Sequence, residues 1–231
     1  MPTHVLPTPN GPIHAEIVTP TGQGPWPAVV VVHDIVSATS GGLPDIIKRI
    51  ADQGYVVIVP NLYSRGGTLR CVRAVFRDLH AMKGRAYDDI EAARQTVLAR
   101  RDCTGRVGIV GFCMGGGFAL VAAARGFDAA APFYPSLPPA RYDDVLDGAC
   151  PIVASLGRRD PLLIGAGKRL QAALDQRWIS SDVKVYDRAG HSFANTYAPA
   201  PILRVIGFGH DPEATDDAWG RVFGFFGEHL R

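Results

Sequence analysis

Residues 107–117 read VGIVGFCMGGG. Val107–Gly111 is an apolar run of strand length, and FALVAAAR at 118–125 continues as an Ala-rich helix. Between them, Gly111-Phe112-Cys113-Met114-Gly115 spells G-x-C-x-G. It is the thiol counterpart of the G-x-S-x-G element, in which a nucleophile sits on a strained strand-to-helix turn. Side chains two residues to either side would strike the turn or the adjoining strand, hence glycine. The turn would present the Cys113 thiol at a helix N-terminus, whose partial positive charge favours a thiolate. It would also aim the Met114 N–H at a developing oxyanion. The same string suits an inert cysteine buried in a glycine-rich strand–helix contact, so the rest of the chain must discriminate.

Outward from this stretch, apolar runs alternate with helical patterns. Ala28–His33 (AVVVVH) and Tyr55–Val59 (YVVIV) are continuous, as in strands covered on both faces. His14–Val18, Ala129–Phe133, Ile152–Leu156 and Val183–Tyr186 read as further strands. Helical spacing runs over 41–53, Tyr87–Arg100, Leu163–Trp178 and Ala214–Leu230. Asn61–Arg85 reads as a looser, arginine-rich stretch. The Pro-rich intervals Tyr134–Pro151 and Tyr197–Pro212 read as surface loops or short lids. This alternation predicts an α/β fold: a mainly parallel sheet of about seven to eight strands with helices on both faces.

Composition narrows the function classes. A chain of 231 residues suits one α/β domain, although length alone also allows two small ones. Lys+Arg 24 against Asp+Glu 22 leaves +2, which argues against a dedicated nucleic-acid binder. Arg65, Arg70, Arg73 and Arg77 could still form a local basic patch. No apolar run is long enough to span a membrane. Met1–Pro12 lacks a basic stretch followed by an apolar core, so no secretory leader is expected. Cys71, Cys103, Cys113 and Cys150 match neither a zinc pattern nor a CxxC pair. They are expected to be reduced thiols in a cytoplasm. No metal and no cofactor is expected.

A nucleophile of this kind needs a base, and the base an orienting acid, in the chain order nucleophile, acid, histidine. VASLGRRDP places Asp160 four residues after a strand ending at Leu156, and VYDRAGHSF places His191 five residues after one ending at Tyr186. Alone, Asp160 could be a helix N-cap and His191 a loop histidine. Together, each beyond its own strand at the ligand-binding edge of a parallel sheet, they predict a Cys113–His191–Asp160 triad. Among the other histidines only His33, closing the first strong strand, rivals for a site position.

These residues resemble the dienelactone hydrolase family of α/β-hydrolases. The likeness runs from about Ala28 to the final helix, through DQGYVVIVPNLY (52–63), VGIVGFCMGGG (107–117), GRRDP (157–161) and AGHSF (189–193). It implies one α/β-hydrolase domain over 1–231 and a thiol that attacks a lactone or ester carbonyl. It further implies a small-molecule substrate, with neither nucleic acid nor membrane as partner. Ile35 is expected to supply the second oxyanion N–H. Asp34 matches a position where the family commonly has glutamate that tunes the thiol; being a methylene shorter, it could equally cap the following segment. Family members acting on dienelactone hold its carboxylate with arginines. One of those positions is Asn195 here, and Arg70 and Arg73 are candidates for the other. Three alternatives stay open: a broader esterase or thioesterase, a redox-responsive thiol protein, and an interaction module with a vestigial site.

Overall fold

The structure, a computed structural model, describes residues 3–35, 42–196 and 208–231. Six runs from residue 26 onward form the parallel part of one sheet: β3 (Trp26–Val32), β4 (Val56–Pro60), β5 (Cys103–Phe112), β6 (Ala129–Phe133), β7 (Ile152–Gly157) and β8 (Ser181–Tyr186). Two antiparallel strands, β1 (Thr3–Leu6) and β2 (Ile13–Val18), extend one edge. The order is β1-β2-β4-β3-β5-β6-β7-β8. This is the mainly parallel, eight-stranded sheet expected; β1, only four residues long, lay outside the sequence reading.

The crossovers are helical: α1 (Leu43–Asp52), α2 (Thr68–Ala81), α3 (Arg85–Leu98), α4 (Met114–Ala122), the single turn α5 (Tyr142–Val145) and α6 (Ala166–Asp175), with α7 (Pro212–His229) last. β5 shows why both faces are covered. A Cβ on Gly108 would stand 2.9 Å from Leu230 and 3.2 Å from Phe226, so that face packs on the α7 end. Gly111, of opposite parity, faces α4. β3, β5 and β6 are accordingly apolar on both sides, and Val29–Val32, Ile109, Val110 and Ala129–Ala131 are wholly buried.

The arginine-rich stretch is a correction. Residues 68–81 form α2, whose Val75 and Leu79 are buried, with Val72 and Phe76 packed against the core. Its apolar stripe is helically spaced, but the exposed Arg70, Arg73 and Arg77 alternate with it along the chain, and no Ser, Thr, Asp or Asn caps its start. The Pro-rich interval after β6 is not wholly a surface loop, since Leu137, Tyr142, Val145 and Leu146 are buried. Most of the second expected lid, 197–207, lies outside the described residues. Among the described residues, no helix is long and apolar enough to cross a membrane.

Candidate active site

Parallel strands end on one edge of the sheet, and that edge gathers the candidate residues. Cys113 stands between β5 and α4 with φ 54° and ψ −114°, a left-handed conformation uncommon outside glycine. Such strain costs about 1–3 kcal/mol. Three main-chain bonds hold it: Cys113 N–H donates to Phe133 O (3.1 Å), and the Cys113 carbonyl accepts from Gly117 (3.0 Å) and Ser136 (2.8 Å). The glycines are required by close approach. A Cβ on Gly111 would lie 2.0 Å from Gly115 O within the turn, and one on Gly115 would lie 2.0 Å from Val32 O of β3.

Asp160 and His191 reach the same edge from β7 and β8. The loop carrying His191 folds back over the end of β7, where Arg159 N–H donates to Ala189 O (3.0 Å). His191 Nε2 is 3.0 Å from Cys113 Sγ, and its Nδ1 is 2.7 Å from Asp160 Oδ2. Asp160 Oδ1 accepts from Leu162 N–H (2.9 Å), which fixes the carboxylate plane. Burial alone would lower the proton affinity of His191. The hydrogen bonds to Asp160 and then Cys113 outweigh it and raise the ring to about 9. Tyr134 and Phe208, each with its ring centroid 5.1 Å from that of His191, flank it.

A cavity of about 510 Å³ opens over the sulfur. Its walls are mostly apolar, with Phe76, Leu137, Pro138, Leu163 and Phe208 prominent. Ile35 lines it too, and Met114 begins α4, where first-turn N–H groups lack intrahelical acceptors. Asp34 also lines the cavity; it is 2% exposed and accepts a short hydrogen bond from Asn195 Nδ2. Asn195 is thus a partner of Asp34, with its own Oδ1 buried and unbonded among the described residues.

The remaining candidates stand elsewhere. His33 donates from Nδ1 to Asp34 O (2.8 Å) and accepts at Nε2 from Leu62 N–H (3.3 Å). Burial lowers its proton affinity, so it serves as a neutral bridge between two main-chain segments. Arg70 lines a separate depression with Arg65, Asp78 and Arg85, and Arg73 is exposed on α2. One neighbour of the sulfur escaped sequence reading: Ser136 Oγ, 3.2 Å from Cys113 Sγ. Its only sequence signal is its place shortly after β6, the strand beside β5.

A thiol, an imidazole and a carboxylate in series, beneath an apolar cavity, are equipped for acyl transfer. Known proteins resemble this chain as a whole. A sequence model of the dienelactone hydrolase family matches residues 13–230. A carboxymethylenebutenolidase of Rhodococcus opacus is 29% identical over 235 residues, covering 94% of this chain and 86% of the relative. One of Pseudomonas putida is 27% identical over 204 residues, covering 81% of this chain and 83% of the relative. The solved dienelactone hydrolase of Anabaena variabilis superposes with a TM-score of 0.75 at 18% identity, covering 100% of this chain and 98% of that one. At that identity the structural likeness speaks for the fold alone.

Proposed function

The chain belongs to the dienelactone hydrolase family and is a hydrolase of ester bonds; from that premise we propose that Cys113 attacks the carbonyl of an uncharged lactone or small ester and carries the acyl group as a thioester. The observation that carries this reading is the unbroken series Sγ–Nε2 (3.0 Å) and Nδ1–Oδ2 (2.7 Å) opening into the apolar cavity.

In the first half-reaction the thiolate forms a C–S bond, and the carbonyl π pair moves to oxygen. The N–H groups of Met114 and Ile35 receive that oxyanion, each donor worth about 2.7–4 kcal/mol in the transition state. The C–O bond then breaks, and the leaving alkoxide takes the proton from His191 Nε2. In the second half, His191 draws a proton from water as it attacks the thioester, and the electron pair of the C–S bond returns to sulfur. Asp160 holds the ring so that Nε2 faces the sulfur throughout.

The preference for an uncharged substrate is supported by what lines the cavity. Among the described residues around it there is no lysine or arginine, while the Asp34 carboxyl is present. Asn195, at a family arginine position, is spent on Asp34. No described guanidinium or ammonium there would clamp a substrate carboxylate.

The test is a panel of lactones and short esters, each with a carboxylated analogue, run with the parent protein, Cys113→Ala and Cys113→Ser. Neutral members should be preferred, Cys113→Ala should be inactive though folded, and an acyl adduct on Cys113 should be trapped by mass spectrometry. Undiminished hydrolysis by Cys113→Ala would refute the nucleophile, and better turnover of carboxylated members would refute the substrate class.

A further inference from the structure

The hydrolytic reading leaves one polar neighbour of the sulfur unused. Ser136 Oγ lies 3.2 Å from Cys113 Sγ, nearly as close as His191 Nε2 at 3.0 Å. Ser136 is half-buried in the cavity wall. Its N–H donates to the Cys113 carbonyl (2.8 Å), so the main chain sets its position relative to the nucleophile.

We propose that the Ser136 hydroxyl is a second hydrogen-bond donor to the Cys113 thiolate, holding the sulfur between itself and the His191 imidazolium. The proposal rests on Cys113 being the nucleophile. A thiol carries one proton, and the contact with Nε2 uses it, either as S–H···N or, after transfer, as S⁻···H–N⁺. In both forms the sulfur is left to accept from Ser136, and the hydroxyl donates. A charged sulfur accepts far more strongly than a neutral one, so this bond favours the ion pair over the neutral pair.

The same bond would act twice in the cycle. When C–S forms, the sulfur loses its charge and the bond weakens. When water cleaves the thioester and the electron pair returns to sulfur, the bond strengthens again and assists departure of the thiolate. Ser136 thereby raises the thiolate population and eases its release, while the weakening of its bond adds to the cost of acylation.

Among the described residues, the charged and titratable groups facing the sulfur come from four strand ends. His191 follows β8, and Asp160 stands behind it from β7. Asp34 follows β3 in the same cavity wall. Tyr63 follows β4, and burial, then Asp34, then Cys113 hold its hydroxyl well above the usual phenol range. That hydroxyl points to Met114 Sδ (3.6 Å).

The test is alkylation of Cys113 by iodoacetamide across pH, resolved by peptide mass spectrometry, in the folded parent, Ser136→Ala and Ser136→Thr. Near about pH 6, labelling of Ser136→Ala should be roughly tenfold slower than the parent, as expected for losing one charge-assisted bond. At alkaline pH, where the thiolate forms regardless, the rates should converge. Ser136→Thr, which keeps the hydroxyl, should follow the parent. Superimposable parent and alanine profiles would overturn the proposal, as would a uniform slowing at every pH or a failure of threonine to rescue. If Ser136→Ala does not fold, Ser136→Gly takes its place, with thiolate ultraviolet absorbance as the readout. No substrate is used, so failure here is separate from failure of the nucleophile reading, which Cys113→Ala alone decides.

Discussion

His191 Nδ1 lies 2.7 Å from Asp160 Oδ2, and the two residues are only 2% and 1% exposed. An imidazole so buried keeps a proton only because the carboxylate and the sulfur flank it. The ring therefore titrates at about 9, above its ordinary 6.5. In the proposed mechanism the protonated form gives its proton to a leaving alkoxide; that form is available below this value and lost as pH rises through it. Ester hydrolysis should show an alkaline limb with its midpoint near 9. In Asp160→Asn the limb should move to lower pH, because a neutral amide stabilises imidazolium less. Blank-corrected pH profiles of kcat/KM check both. An unmoved limb in Asp160→Asn would detach the limb from this pair.

Gly157 closes β7 directly beneath the loop that carries His191. A Cβ there would stand 2.6 Å from the carbonyl oxygens of Ala189 and Gly190. Gly157→Ala should push that loop away from Asp160 while most of the core survives. The expected result is a fall in kcat of about 10²-fold, as for a misplacement of about 1 Å. A loss of structure by circular dichroism would instead assign Gly157 to folding rather than to site geometry.

Ile35 is proposed as an oxyanion donor through its main-chain N–H, so only a substitution that removes that hydrogen is informative. Ile35→Pro should lower kcat by about 10²–10³-fold. Ile35→Val should leave it near the parent value. Equal loss in both variants would place the contribution of Ile35 in cavity shape.

Asn195 donates to the buried Asp34 carboxylate. Asn195→Asp would replace that donor by a second carboxylate. One of two adjacent buried carboxylates binds its proton more tightly than in the unfolded chain. The variant should thus approach parent stability in acid and lose it as pH rises past the ordinary carboxylate range, by about 2–3 kcal/mol. Urea midpoints of both proteins in mild acid and at neutral pH measure this. A deficit that did not grow with pH would argue against charge repulsion as its cause.

Much of the fold was legible because burial on both faces leaves a plain mark. Continuous apolar runs such as Val29–Val32 are what a covered parallel strand requires, and the expected places of the six parallel strands fell within about two residues of those observed except at the start of β5. The first residues of β5, Cys103–Arg106, are partly exposed and carry no such run. The helix over 68–81 was obscured by arginines on its solvent side, and β1 by having only one buried residue. At the site, Cys113, Asp160 and His191 stood out because each needs a special turn or strand end. Ser136 had no such mark: a serine in a Pro-rich loop looks alike whether or not a sulfur lies opposite.

The amino-acid order by itself determined which elements form and which end of each strand bears a reactive side chain, since periodicity, glycine and chain direction are local properties. Distance was decided by tertiary structure alone. Residues 113, 136, 160 and 191 come within bonding reach only because β5 lies beside β6, β6 beside β7 and β7 beside β8. The pairing of Asn195 with Asp34, 161 residues apart, is of the same kind. Strand order follows from how whole faces pack, and no stretch of chain carries that information alone.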